Sequence, residues 1–113
     1  MIIEETIINY LAEETSVPVF AEYPENQTGR FIVVDMIGSS YSNHIQTATI
    51  AIQSYGTSKL DAARLNEDVK CALSQLKTLN AKISSDYYFA DTRAKRYRYQ
   101  AVYEINTLRG IEI

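Results

Sequence analysis

The chain has 113 residues, 46% of them apolar and 22% charged; this is the composition of one globular domain (1–113) with its own core and excludes a charge-rich disordered polymer. A net charge of −3 disfavours a general nucleic-acid binder, and a single cysteine, Cys71, excludes an intramolecular disulfide. No apolar run approaches the roughly 20 residues that cross a bilayer, and Met1-Ile2-Ile3-Glu4-Glu5 has acids where a signal peptide has bases, so folding in the cytoplasm without a membrane is the expectation.

Ile3, Ile7 and Leu11, with Tyr10 beside them, recur at helical spacing and predict an amphipathic helix over 3–13. Val17-Pro18-Val19-Phe20-Ala21 reads as a short strand that begins at its proline or lies at a sheet edge, because proline cannot donate to a ladder. Tyr23 to Gly29 reads as a loop. The segment 30–37 is β-branched and apolar on both alternating faces, as in a central strand covered on both sides. Gly38-Ser39-Ser40-Tyr41-Ser42-Asn43-His44 breaks that strand and forms a loop. Alternation returns over 46–55, with Ala48, Ile50 and Ile52 on the inner face, and the three strands are expected to form an antiparallel meander.

Ser58 followed by Asp61 is a capping pair, and Ala62, Leu65, Val69, Ala72, Leu73 and Leu76 continue as an apolar stripe, predicting a second helix from 58 to about Lys77. Cys71 falls in mid-helix as a small buried thiol. Two strands follow, at about 81–90 and 96–108; in the last, Tyr97, Tyr99, Ala101, Tyr103 and Ile105 share the core face. The order α-β-β-β-α-β-β defines an α+β domain with a mainly antiparallel sheet and two helices packed on it.

Chemistry is sparse. His44 is the only histidine, Cys71 has no soft-ligand neighbours, and the four glycines form no phosphate-binding motif, so no catalytic residue, cofactor or metal ligand is assigned. Adjacent carboxylates such as Glu67 and Asp68 diverge by about 100° on a helix and do not converge on a substrate. The segment Arg93, Lys95, Arg96 and Arg98 interleaves with Tyr97 and Tyr99. It reads as a charged turn guarding a strand edge, as a surface for an acidic protein partner, or as a single-strand nucleic-acid platform. Nine tyrosines and no tryptophan suit a surface that is buried on assembly, with Tyr23 and Tyr41 as the loop candidates. Residues 1–55 hold one base and seven acids, net −6, and 56–113 hold ten bases and seven acids, net +3.

Val17-Pro18-Val19, Glu22-Tyr23-Pro24-Glu25, Arg30-Phe31-Ile32-Val33-Val34 and Ala51-Ile52-Gln53-Ser54-Tyr55 ahead of a capped helix resemble small phage proteins encoded between head and tail genes. The segments Asp86-Tyr87-Tyr88-Phe89-Ala90-Asp91-Thr92 and 96–104 extend the likeness over nearly the whole chain. These are similar to the tail terminator, or tail completion, proteins of long-tailed phages. The resemblance implies a non-enzymatic virion protein at the neck, made in the host cytoplasm. It would form a homo-oligomeric ring, a hexamer in the family, that caps the tail-tube protein and joins a head-completion or connector protein, without membrane or specific nucleic acid. Relatives carry a more basic, glycine-rich stretch where this chain has Gly38-Ser39-Ser40.

Two surfaces follow as expectations. Arg93, Lys95, Arg96 and Arg98 of one subunit meet the acidic loop at Glu22, Tyr23 and Glu25 of the next, and Ser39, Ser40, Tyr41, Asn43 and His44 contact the tube or the head adaptor. A head-completion adaptor on the portal side, and a small binding module using the tyrosine-rich sheet face, are the alternatives.

Overall fold

The computed structural model describes residues 3–42, 45–76, 80–90 and 96–108. Helix α1 (Ile3–Thr15) precedes strands β1 (Val19–Phe20), β2 (Phe31–Ser42) and β3 (Ile45–Gly56); helix α2 (Lys59–Gln75) and strands β4 (Asn80–Tyr88) and β5 (Tyr97–Leu108) follow. The strands form one five-stranded sheet in the order β1-β2-β3-β5-β4. All neighbours are antiparallel except β1 and β2, giving the expected α+β class.

Both helices pack on one sheet face. Ile3, Ile7 and Leu11 of α1 and Leu65, Val69, Ala72 and Leu73 of α2 meet Ile32, Val34, Ala48, Ile50, Ile52, Ala101, Tyr103 and Ile105 in a single core. The 3.6-residue stripe of each helix is thereby matched to the two-residue alternation of three strands. Tyr10 of α1 ties the helices together by donating to the Ala72 carbonyl at 2.6 Å. Ser58 caps α2, its Oγ accepting from the Asp61 amide at 3.1 Å, while Asp61 Oδ2 accepts from the Thr57 amide at 3.0 Å. The first bond satisfies a free amide of the opening turn, and the second fixes the chain just ahead of the cap.

Four expectations are corrected. The first three strands are not an antiparallel meander: residues 21–30 carry the chain back, so β2 runs parallel to β1 with Val19 opposite Ile32. The segment at Gly38 does not break β2. A bulge between Met36 and Gly38 absorbs the irregularity, and the strand runs on to Ser42 against β3, forming an exposed hairpin arm. Cys71 is exposed, because it lies about 100° round the helix from Ala72 and hence off the core stripe. Finally, Tyr97 is exposed and Tyr99 only half-buried; Gly56, the strand partner of Tyr97, is where the chain leaves the sheet for α2, so the helical layer ends there.

Candidate functional site

The sheet face opposite the helices carries a second, smaller cluster of Phe31, Val33 and Tyr55, with Phe20 against it. Phe31 and Tyr55 are partners across β2 and β3, their rings stacked at 4.5 Å and 11°. Tyr23, from the loop 21–30, closes over both, at 5.9 Å from Phe31 and 5.6 Å from Tyr55. Tyr23 thus holds its own loop down as well as presenting an edge to solvent.

The basic segment bears on the same cluster. The Arg96 guanidinium lies 5.3 Å from the Phe31 ring and donates to the Gln27 carbonyl, pinning the far end of the loop. Arg98 stacks 4.1 Å over Phe89, donates from Nε to the Phe89 carbonyl at 2.8 Å and from Nη1 to the Tyr55 hydroxyl at 3.0 Å. Both arginines are therefore engaged within their own chain, where a cation adds roughly 0.5–1 kcal/mol over an exposed ring such as Phe89 and up to about 2 kcal/mol over a buried one such as Phe31. Arg93 and Lys95 lie outside the described residues. Glu22 and Glu25 are exposed.

The tyrosine-rich face of β5 expected as a binding platform, Tyr97, Tyr99 and Tyr103, lies on the helix side of the sheet, and the aromatic cluster on the other face is closed. Phe31 is fully buried and Tyr55 is 1% exposed, so neither ring offers an open face on which a base or a flat ligand could stack. Beyond the cluster the same face is polar: Gln53 donates to Gln100 at 2.9 Å and Gln100 to the Tyr87 hydroxyl at 2.5 Å.

The predicted contact loop is largely strand. Ser39, Ser40 and Tyr41 are exposed on the hairpin arm, while Asn43 and His44 lie outside the described residues. Ile37, Tyr41 and Ile45 are the exposed large apolar residues of the arm, and Ile83, Tyr87 and Phe89 are those of β4 and its exit. Nothing in the sequence marks Ile37 or Ile83 as exposed, since each sits inside a strand pattern and exposure there depends on which strand ends up outermost.

Beside β4 lies a groove of about 170 Å³ between α2 and the sheet, lined by Lys70, Leu73, Ser74, Ala81, Ile83 and Tyr103. Lys70 Nζ bonds Asp86 and Glu67, each at 2.6 Å, and Asn66 Nδ2 donates to Asp86 at 2.7 Å. Burial pushes the Asp86 carboxyl up, but the hydrogen bonds from Lys70 and Asn66 outweigh it and hold the group below its ordinary value; hydrogen bonds to Asp86 and Glu67 hold Lys70 above its own. Burial pushes Tyr103 up to about 12. Each of these groups keeps its usual charge at neutral pH, so the cluster is a structural clasp from α2 to β4 and supplies no poised acid or base. Among the described residues, no three His, Cys, Asp or Glu side chains come together as a metal site, and no helix is long and apolar enough to cross a membrane.

No protein-family model and no curated protein matches the chain.

Proposed function

We propose that this chain is a non-enzymatic structural subunit of a phage neck, assembling with copies of itself into a ring, a hexamer, that ends the tail tube and offers the surface to which the head joins. The observation that carries the reading is the distribution of exposed apolar side chains. Among the described residues, six of the nine exposed large apolar side chains sit on two unlike flanks, the hairpin arm (Ile37, Tyr41, Ile45) and the β4 side (Ile83, Tyr87, Phe89), while Tyr23, Leu60 and Tyr97 lie apart from both. Two different patches on opposite sides of one subunit are what a head-to-tail ring requires, whereas a face-to-face dimer needs one self-complementary patch. The resemblance of the sequence to tail terminators supports the same reading and gives the ring its partners, the tail-tube protein below and a head-completion protein above. Arg93 and Lys95 facing Glu22 and Glu25 of the neighbour would add electrostatic steering to the closure.

Adding the purified protein to polymerising tail-tube protein tests this. Tubes should stop growing and carry a ring at one end in negative stain. Tubes that lengthen unchanged with bare ends contradict it, and a ring that binds only the portal-side connector identifies the head-completion adaptor instead.

A further inference from the structure

The two outer edges of the sheet match each other. β1 covers β2 only at Ile32 and Val33, so among the described residues no strand pairs with the outer edge of β2 from Val34 to Ser40, nor with the outer edge of β4. These edges stand at the same height. The register runs from Val34 through Ile52 and Ala101 to Asp86, and from Ser40 through Thr47 and Asn106 to Asn80. Three antiparallel steps separate β2 from β4, so the two point in opposite directions. A rotation axis along the strands preserves direction, and β4 of one copy would therefore meet β2 of the next as an antiparallel pair.

Each edge also carries one extra residue, Ile37 in the bulge between Met36 and Gly38 and Ser84 in the bulge between Ile83 and Ser85. The bulges lie at neighbouring heights, because Met36 leads through Ile50 and Tyr103 to Ile83. A regular strand would fall out of register against either edge, which protects both from indiscriminate pairing. Against each other the extra residues cancel. Residues 34–40 pair one to one with 86–80, and Ile37 falls opposite Ile83. These isoleucines are 56% and 48% exposed, and Ile83 borders the groove formed with Leu73, Ala81 and Tyr103. The charges agree as well. Exposed Asp35 on β2 and exposed Lys82 on β4 are opposite in sign and share the helix-free face, while Asp86 is already held by Lys70.

We propose that β4 of one copy pairs antiparallel with Val34–Ser40 of a second copy, seating the second copy's Ile37 against Ile83 and the groove beside it. This rests on the ring reading above and names the contact that closes the ring.

The test is disulfide trapping in a Cys71→Ser background. With Ile37→Cys and Ile83→Cys in the same chain, mild oxidation should give a ladder of covalent oligomers on a non-reducing gel, and either cysteine alone should give no ladder. In the wild-type background, Ile37→Asp should raise the concentration needed for assembly at least about tenfold without changing the monomer's circular dichroism, since it removes an apolar contact made only between copies. Lys82→Glu should change it by no more than about twofold, because the pairing sets Lys82 and Asp35 three residues, roughly 10 Å, apart and Lys82 already stands opposite Glu104. Rings that form while no ladder appears and Ile37→Asp assembles like wild type overturn this contact and leave the ring reading standing. Wild-type protein that never self-associates, alone or on tail tubes, overturns both.

Discussion

Gly56 has its place because no side chain fits there: a Cβ would stand 2.4 Å from the Ala62 amide nitrogen, against the first turn of α2. Gly56→Ala is expected to destabilise the fold by about 1–3 kcal/mol, read as a lower urea midpoint at unchanged slope. Ser16 is the opposite case. It ends α1 at φ +57°, donating its amide to the Ala12 carbonyl at 3.2 Å, a left-handed position that glycine adopts without penalty. Ser16→Gly should therefore raise stability by up to about 1 kcal/mol. Asp86 sets an acid limit. Its folded value lies below the ordinary 3.8, so its contribution is complete above that value and is lost as pH falls through the lower folded one. The unfolding curve of Asp86→Asn should lie below wild type at pH 6 and merge with it in strong acid; a constant offset at every pH would assign the loss to packing instead of charge.

At the scale of elements, the helices and the N-cap of α2 are legible because their signals are local: the stripe of Leu65, Val69, Ala72 and Leu73 and the Ser58–Asp61 cap need only neighbouring residues. The inner face of β3 was legible for the same reason. What escaped was set by distant partners. Gly38-Ser39-Ser40 has turn composition, yet it is strand because Thr49, Ala48 and Thr47 supply a complete ladder opposite it, and pairing overrides propensity. The parallel β1–β2 pair depends on a loop anchored by Tyr23 and Arg96 to Phe31, contacts that no periodicity encodes. Of the expected contact residues, Glu22, Glu25, Ser39, Ser40 and Tyr41 are exposed, while Arg96 and Arg98 turn back on their own chain. Arg96→Ala should accordingly act on the fold, lowering stability by about 1–2 kcal/mol and speeding amide exchange in 21–30. The hairpin arm should behave in reverse. Exposed Ile45 can be changed to Thr with a melting shift within about 2 °C, while binding to tail tubes or to the head adaptor weakens.

The molecule as a whole is a sheet with helices on one face, six of its nine described exposed large apolar residues on two unlike flanks, and opposite net charge in the two parts of its sequence, −6 and +3. Arg30 and Asp61, 3.1 Å apart, tie those parts together inside the subunit, as Lys70 ties α2 to β4 through Asp86. Since exposed pairs contribute about 0–1 kcal/mol each, changing Arg93 and Lys95 together to Glu should shift assembly to higher concentration without abolishing it. Gel filtration with light scattering, carried across protein concentration and in the presence of tail tubes, tests the ring itself most directly. A species of about 77 kDa, six copies of the 12.8 kDa chain, with a central opening in negative stain, is the predicted result, whether it forms free or only on the tube. A 12.8 kDa monomer at every concentration that also leaves tube ends bare would contradict it.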